Sequence, residues 1–480
     1  MNGASFYFYD LETSGVSSRK SRIMQFAGQR TNANLEPIGE PDDILIQLNK
    51  DVLPEPEAVL LHGITPQRTM QDGITEAEFV KYFDENIRKQ NTIFVGFNNI
   101  RFDDEFMRFL FWRNFHDPYE WQWKDGCSRW DILDLVRITR ALRPEGIKWP
   151  NDSEGRASNR LELLTRDNKI EHIDAHTALS DVNATIAVAK LIKDKQPKLF
   201  EYMLEMRDKK KIRALAMADQ PFVYVSGRYE SRYEKMTVVK SVAELEDASG
   251  AIVYDLRYNP EKWLKKSDAE LEHALNNWQD EAEDRLPVKI LQYNRCPSVA
   301  PMSVIDEDSK ARLNVNLDEF SKNLKLVQSS KQLIDRIITL INKQKKAYQT
   351  ELVPDDRDAD ERLYEGFVSD SDRELSRHIR ELKKDSISSF TPVFSDARLR
   401  GLYPLYKARN YPRSLNPEEQ SAWETHVAKR LFSGGEKSQA ALFMVSLQAV
   451  AAKKGLTQDK QYLIEELKLY AESIMPADLG

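Results

Sequence analysis

The amino-acid sequence predicts an α/β domain over residues 1–195, a β-rich domain over 196–346 and an all-helical domain over 347–480. Three observations carry this prediction. Short apolar runs, Phe6-Tyr7-Phe8-Tyr9 and Ile93-Phe94-Val95-Gly96-Phe97, read as buried strands, and helical patterns interleave with them as far as residue 193. Runs at 222–225, 236–239 and 251–254 read as strands of a small β module. Beyond Pro354 the periodicity is helical, as at 438–453 and 460–474.

Taken in order, the spacing predicts strands over residues 6–10, 23–30, 44–48 and 93–97. It predicts helices over 75–89, 104–114, 131–142 and 181–193. The charged stretch 355–361, Asp-Asp-Arg-Asp-Ala-Asp-Glu, follows Pro354 and reads as a solvated linker or an exposed helix start. Phe109, Phe111, Trp121 and Trp130 read as core, and Tyr119 and Trp123 as surface platforms in a groove. The run Lys209-Lys210-Lys211-Ile212-Arg213 reads first as a solvated helix face.

Composition narrows the class. Hydrophobic residues make up 41% of the 480, and mean hydropathy is −0.59, as in globular chains with ample core material. The sequence shows no apolar run of about 18 residues, so no membrane span is expected. The start, Met1-Asn2-Gly3-Ala4-Ser5, lacks a basic region followed by an apolar stretch, so export is not expected. Cys127 and Cys296 suggest neither a disulfide framework nor structural zinc, and a reducing cytoplasm is expected. The net charge of −7 argues mildly against a nucleic-acid binder, which usually shows a basic field, although a local groove can still be positive.

Four segments in fixed order carry the chemistry: Asp10-Leu11-Glu12-Thr13, Leu61-His62-Gly63-Ile64-Thr65-Pro66, Asn98-Asn99-Ile100-Arg101-Phe102-Asp103 and His176-Thr177-Ala178-Leu179-Ser180-Asp181. Asp10 and Glu12 lie two apart at a strand end, so both project to one face. Asp103 opens one helix and Asp181 sits in the first turn of another. Carboxylates brought together in this way repel unless cations neutralise them, and hard divalent metals prefer such oxygens. Two metals about 4 Å apart stabilise both the attacking and the leaving oxygen of an in-line displacement. His176, preceded by a short polar loop, is the natural general base for water near neutral pH. Singly each segment is weak evidence. As an ordered set they make up the parts for phosphodiester hydrolysis.

This set resembles the histidine-containing branch of the DEDD exonuclease superfamily, and more closely the bacterial exonuclease I family. The likeness is carried by residues 96–105 (Gly-Phe-Asn-Asn-Ile-Arg-Phe-Asp-Asp-Glu), by Arg113-Asn114-Phe115, Asp117-Pro118-Tyr119, Ser128-Arg129-Trp130-Asp131 and the stretch Ala141 to Ile147, and by Leu363-Tyr364-Glu365-Gly366-Phe367 and the stretch Lys407 to Pro412. The resemblance implies a ribonuclease-H-like α/β exonuclease domain, an SH3-like β-rich domain and an all-α C-terminal domain, forming a C-shaped clamp. It implies a processive 3′→5′ exonuclease on single-stranded DNA in repair and recombination, releasing 5′-mononucleotides with two Mg²⁺ ions, for which Mn²⁺ may substitute.

Residue by residue, Asp10, Glu12, Asp103 and Asp181 match the family's metal ligands and His176 its base. Thr13 matches the position beside the 3′-terminal nucleotide and Arg160 a substrate-contacting arginine. Arg108, Tyr119, Trp123, Arg137, Lys209, Tyr364 and Phe367 match strand-contacting positions, a mixture of cations and stacking faces suited to single strands, and Arg113 and Arg129 interleave with the aromatic residues of 119–130 as further groove cations. Arg143 and Tyr202 match a pocket for the acidic C-terminal tail of the single-stranded DNA-binding protein. Pro301, Asp306 and Gln328 stand where that pocket and its basic ridge have polar or basic groups. A monomer is expected, since one chain supplies the whole clamp. The motifs leave two alternatives open: an exoribonuclease or proofreading-type nuclease, and a non-catalytic single-strand-binding adaptor.

Overall fold

The computed structural model describes residues 5–172, 177–276, 284–351 and 357–474, without the side chains of 348–351. By contact the chain divides into two compact units, each assembled from separate stretches. The first takes Met1–Ser128, Ile173–Asn183 and Asp356–Gly480, and the second takes Arg129–His172 and Ala184–Asp355. Among the described residues no helix is long and apolar enough to cross a membrane. Cys127 and Cys296 are free and buried.

In the first unit, β1 (Ser5–Thr13) pairs antiparallel with β2 (Ile23–Thr31), β2 antiparallel with β3 (Asp42–Leu45), and β1 parallel with β4 (Thr92–Gly96). Strand pleating sorts β1 into two faces. Tyr7, Tyr9 and Leu11 enter an aromatic core with Phe26, Phe79, Phe83, Phe94, Phe106, Phe111 and Trp121. The opposite register carries Phe6, Phe8, Asp10 and Glu12. The strand predicted over residues 6–10 therefore runs on to Thr13, and both acids lie within it.

The C-terminal helices complete this unit. Met24, Leu48, Val52, Val59 and Ile64 share a core with Leu431, Phe443, Leu447, Val450, Leu467 and Tyr470. Phe109, Trp112 and Phe115 share another with Leu363, Phe394, Leu402 and Tyr406. The charged stretch is not the solvated linker its composition suggests. Ala359–Glu361 is a 3₁₀ turn, and Asp360 is fully buried against Arg22 (2.6 Å), Arg409 (2.9 Å) and Arg430 (3.1 Å). The same Arg409 pairs with buried Asp51 at 2.6 Å. Burial alone would raise the Asp360 pKa, but Arg430, Arg409 and Arg22 pull it well below the usual carboxylate range.

Residues Ser128–Asp131 form β5, over which the chain passes into the second unit. There a five-stranded antiparallel sheet has the order β10-β6-β7-β8-β9, with β6 at Phe222–Val225, β7 at Met236–Glu244, β8 at Gly250–Asp255, β9 at Val288–Gln292 and β10 at Ser298–Pro301. Helix Ile132–Leu142 packs on it: Ser298 Oγ donates to the Asp134 carbonyl at 2.7 Å, and Arg140 pairs with Glu234 at 2.7 Å.

Candidate active site

β1 delivers Asp10 and Glu12 side by side, and the break after it sets the corner. The β1–β2 register shifts between Glu12, opposite Gln25, and Thr13, opposite Ile23. Asp103 is the first residue of helix Asp103–Arg113. Its placement depends on a tight return from β4. A Cβ on Gly96 would lie 2.6 Å from the Asn99 Cβ and 3.0 Å from the Tyr9 carbonyl oxygen, so glycine there lets the Asn99–Arg101 turn fold back. The neighbouring Asp104 is buried and accepts hydrogen bonds from the Tyr9 hydroxyl and from Asn99 Nδ2, which ties the helix start to β1. Asp181 lies in the first turn of helix Ala178–Lys195, its amide bonded to the Thr177 carbonyl at 3.1 Å.

Carboxylate oxygens of Asp10, Glu12 and Asp181 come within 4.8 Å of one another. Burial first, then the charges of Asp103 and Asp181, push the Asp10 pKa well above the usual range. Burial, Asp10 and Asp181 push Glu12 up to about 9. An all-oxygen set in which burial and mutual charge disfavour the ionised form suits a hard divalent cation, which would favour that form again. His176 lies outside the described residues. Thr13 is buried, and its Oγ1 donates to the Gly15 carbonyl at 2.9 Å.

The predicted stacking positions lie on the first unit. Tyr119 and Trp123 are exposed, the latter by 62%, and Phe367 projects almost fully, at 99%. These three line a cavity of about 430 Å³ together with Arg373, Arg377 and Arg380. Tyr119 rests on the Arg108 guanidinium at 5.3 Å, and Glu105 accepts from both Arg108 and the Tyr364 hydroxyl. Trp121 and Trp130 are core, each 1% exposed. Arg113, read with the groove cations, is core as well: it forms a buried two-point pair with Glu76 at 2.6 and 3.0 Å.

The remaining site residues belong to the second unit. Arg137 pairs with Asp134 at 2.7 Å. Arg160 is exposed at the start of helix Leu161–Asp167. Lys209 is exposed and opens helix Lys209–Met217, where Lys211 and Arg213 pair with Glu205 and Glu244, each at 2.6 Å. Arg143 pairs with Asp306 at 3.1 Å and donates to the Val304 carbonyl at 3.0 Å; the Tyr202 hydroxyl donates to the Val299 carbonyl at 3.1 Å.

Comparison with known proteins follows this architecture segment by segment. Residues 7–189 match the family described as Exonuclease, 207–343 the Exonuclease I SH3-like domain and 357–474 the Exonuclease I C-terminal domain. The exodeoxyribonuclease I of Haemophilus influenzae is 38% identical over 98% of this chain and 99% of its own. The belonging is settled by that full-length match.

The chain belongs to the exodeoxyribonuclease I family.

The Escherichia coli exodeoxyribonuclease I is 36% identical over 98% of both chains. A moderately thermophilic exonuclease I from Methylocaldum szegediense superposes with a TM-score of 0.91 at 38% identity, covering 98% of this chain and 100% of that one. The E. coli exonuclease I in complex with a dA16 oligonucleotide gives 0.90 at 34% identity, with the same coverage. An ExoI/SSB-Ct complex gives 0.89 at 34% identity, again over 98% and 100% of the two chains. As a member of the exodeoxyribonuclease I family the chain is a nuclease of the hydrolase class, and its exonuclease domain implies dependence on divalent metal. Inspection of motifs alone gave no role to His62 or to the Tyr9–Asp104 pair. Only the presence of His62 within the Leu61–Pro66 motif pointed to it.

Proposed function

We propose that this chain is a Mg²⁺-dependent 3′→5′ exodeoxyribonuclease that shortens single-stranded DNA to 5′-mononucleotides in repair and recombination. The reading rests on the convergence of Asp10, Glu12 and Asp181, with burial and the charges of Asp103 and of one another raising the pKa values of Asp10 and Glu12. It keeps a nuclease domain over residues 1–195, an SH3-like domain over 196–346 and a helical domain over 347–480.

Asp10, Glu12, Asp103 and Asp181 would hold two Mg²⁺ ions, which supply positive charge at the scissile phosphate and Lewis acidity for the attacking water. His176 takes the proton of that water. Thr13 borders the 3′-terminal nucleotide, and Arg160 contacts the substrate. Tyr119, Trp123, Tyr364 and Phe367 offer faces to successive bases, each stack worth about 1–3 kcal/mol, while Arg108, Arg137 and Lys209 meet phosphates. The E. coli complex with dA16 supports single-stranded DNA as the substrate. The ExoI/SSB-Ct complex supports the single-stranded DNA-binding protein's tail as a partner, and Arg143 and Tyr202 would seat it. A cytoplasmic place of action goes with this reading.

The test is digestion of a 5′-labelled single-stranded DNA oligonucleotide with Mg²⁺ and with EDTA, beside duplex DNA and RNA of the same sequence. Stepwise shortening from the 3′ end of the single-stranded DNA alone, abolished by EDTA, is the expected result. Equal digestion of RNA would move the assignment to an exoribonuclease. Binding without cleavage would leave an adaptor.

A further inference from the structure

The geometry points to His62 as a positioning residue that holds the catalytic corner of β1 by donating a hydrogen bond to the Thr13 carbonyl. The inference rests on the reading above, in which Thr13 borders the 3′ end of the strand. The corner needs an outside partner because the β1–β2 register slips between Glu12 and Thr13. A bulge takes main-chain groups out of the ladder, and a buried carbonyl left without a donor costs about 1–3 kcal/mol.

One short helix, Pro56–His62, supplies both replacement donors. Its N-cap residue Glu55 donates its amide to the Ser14 carbonyl at 2.7 Å. Its last residue, His62, places Nε2 3.3 Å from the Thr13 carbonyl. Two consecutive carbonyls just past Glu12 are thus held by the two ends of a single rigid element. That element is anchored through Val59, which shares a core with Ile64, Leu447 and Tyr470.

The tautomer of His62 follows from its second nitrogen. The Ile64 amide donates to Nδ1 at 3.0 Å, so Nδ1 carries the lone pair and Nε2 the proton. The turn that brings the Ile64 amide back to the ring is made by Gly63, at φ +74°, whose own amide closes onto the Val59 carbonyl at 2.8 Å. Burial lowers the ring's pKa to about 4, so His62 stays neutral at the pH of catalysis, and a neutral ring in this tautomer has a single donor to give. Its role is geometric: no proton moves through it. It fixes the Thr13–Ser14 peptide, and with it the line of Glu12 and Thr13.

Three variants test this: His62→Gln, whose amide nitrogen can reach the place of Nε2; His62→Asn, whose amide reaches only that of Nδ1; and His62→Leu. Each is assayed for kcat and KM on a single-stranded oligonucleotide at saturating Mg²⁺, for oligonucleotide Kd in EDTA, and for Tm. The Gln variant should keep kcat within about threefold, while Asn and Leu lose about ten- to a hundredfold, the scale of a displacement under 1 Å at reacting groups. KM and the EDTA Kd should stay within about twofold, because the corner orients bound strand rather than gripping it. A merely structural role predicts equal damage from Gln and Asn, with Tm falling alongside kcat, and that result overturns the inference, as does wild-type kcat in all three. If the Leu variant fails to fold, the Gln–Asn pair still decides. Wild-type protein that leaves the oligonucleotide intact refutes the functional reading itself, and this role with it.

Discussion

Asp10 and Glu12 at the end of β1, and Asp51 and Asp360 beneath the 3₁₀ turn Ala359–Glu361, are carboxylates of the same unit in opposite electrostatic states. Distance does not separate the two groups. Oxygens of Asp358, Asp360 and Glu361 come within 4.8 Å of one another, as do those of Asp10, Glu12 and Asp181. Charge does. Around Asp51 and Asp360, burial is outweighed by Arg409, Arg430 and Arg22, and both pKa values fall well below the ordinary range, while at neighbouring Glu361 burial outweighs Arg430 and the pKa rises. At β1 burial comes first and the neighbouring acids add to it, and the pKa values of Asp10 and Glu12 rise. The lesson is that clustering of acids does not by itself mark a metal site, since the protein can neutralise the cluster with its own cations. Where it has supplied arginines, the same cluster joins distant segments.

The hardest way to break this comparison is to remove an acid from the neutralised group. Asp360→Ala leaves buried Arg22 without its acid partner, Arg409 with Asp51 alone and Arg430 with Asp51 and Asp358, and should cost about 3–5 kcal/mol in denaturant unfolding. The metal-dependent cleavage per folded molecule should be little changed. Next, Asp181→Asn should lower turnover about a hundred- to a thousandfold, through weaker metal binding, while leaving the metal-free protein as stable as wild type or more so, because it removes a repulsive charge. Turnover and Tm in EDTA, measured side by side, check both halves. If Asp181→Asn instead destabilised the metal-free protein as Asp360→Ala does, the two groups would be of one kind.

A smaller effect sharpens the contrast through pH. Glu12 has a folded pKa of about 9 against an ordinary 4.5, so between those values the folded state binds more protons than the unfolded one. Stability in EDTA should therefore fall as pH rises through that window. Mg²⁺ should remove that slope, since it favours the ionised form. Asp360 has the opposite sign: its folded pKa is depressed, so its contribution is present above about pH 4 and is lost on acidification below it. Tm against pH, with and without Mg²⁺, reads both. The smallest effect belongs to an exposed acid–arginine pair, Arg143 with Asp306. Releasing Arg143 by Asp306→Asn should tighten binding of a fluorescent acidic tail peptide about two- to fivefold, the scale of a surface ion pair. No gain would show that the pair does not compete with the peptide.

What the sequence made legible follows the range of the forces involved. Asp10 and Glu12 were readable because a strand's period of two puts them on one face, and Asp103 and Asp181 because helix starts have local signatures. Trp121 and Trp130 were readable as core because large aromatic side chains bury wherever packing admits them. Residues 357–361 were not, because local charge density argues for solvent, and the arginine that reverses the argument, Arg22, lies 338 positions away. Arg113 failed likewise, its partner Glu76 being 37 residues upstream. His62 was in view as part of a motif, yet its role lies in one hydrogen bond to a carbonyl 49 residues earlier, which no spacing encodes. β5 went unread since four residues, Ser-Arg-Trp-Asp, offer no periodicity to detect.

The core shared by Met24, Val59 and Ile64 with Leu431, Leu447 and Tyr470 sets a timetable for the chain as it leaves the ribosome. The helix that steadies the catalytic corner cannot bury its apolar side until roughly 400 further residues have been made, a wait of about 20–80 s at ordinary translation rates of about 5–20 residues per second. Until then a nascent chain holds all four acids while Val59 and Ile64 still lack the partners that complete their core.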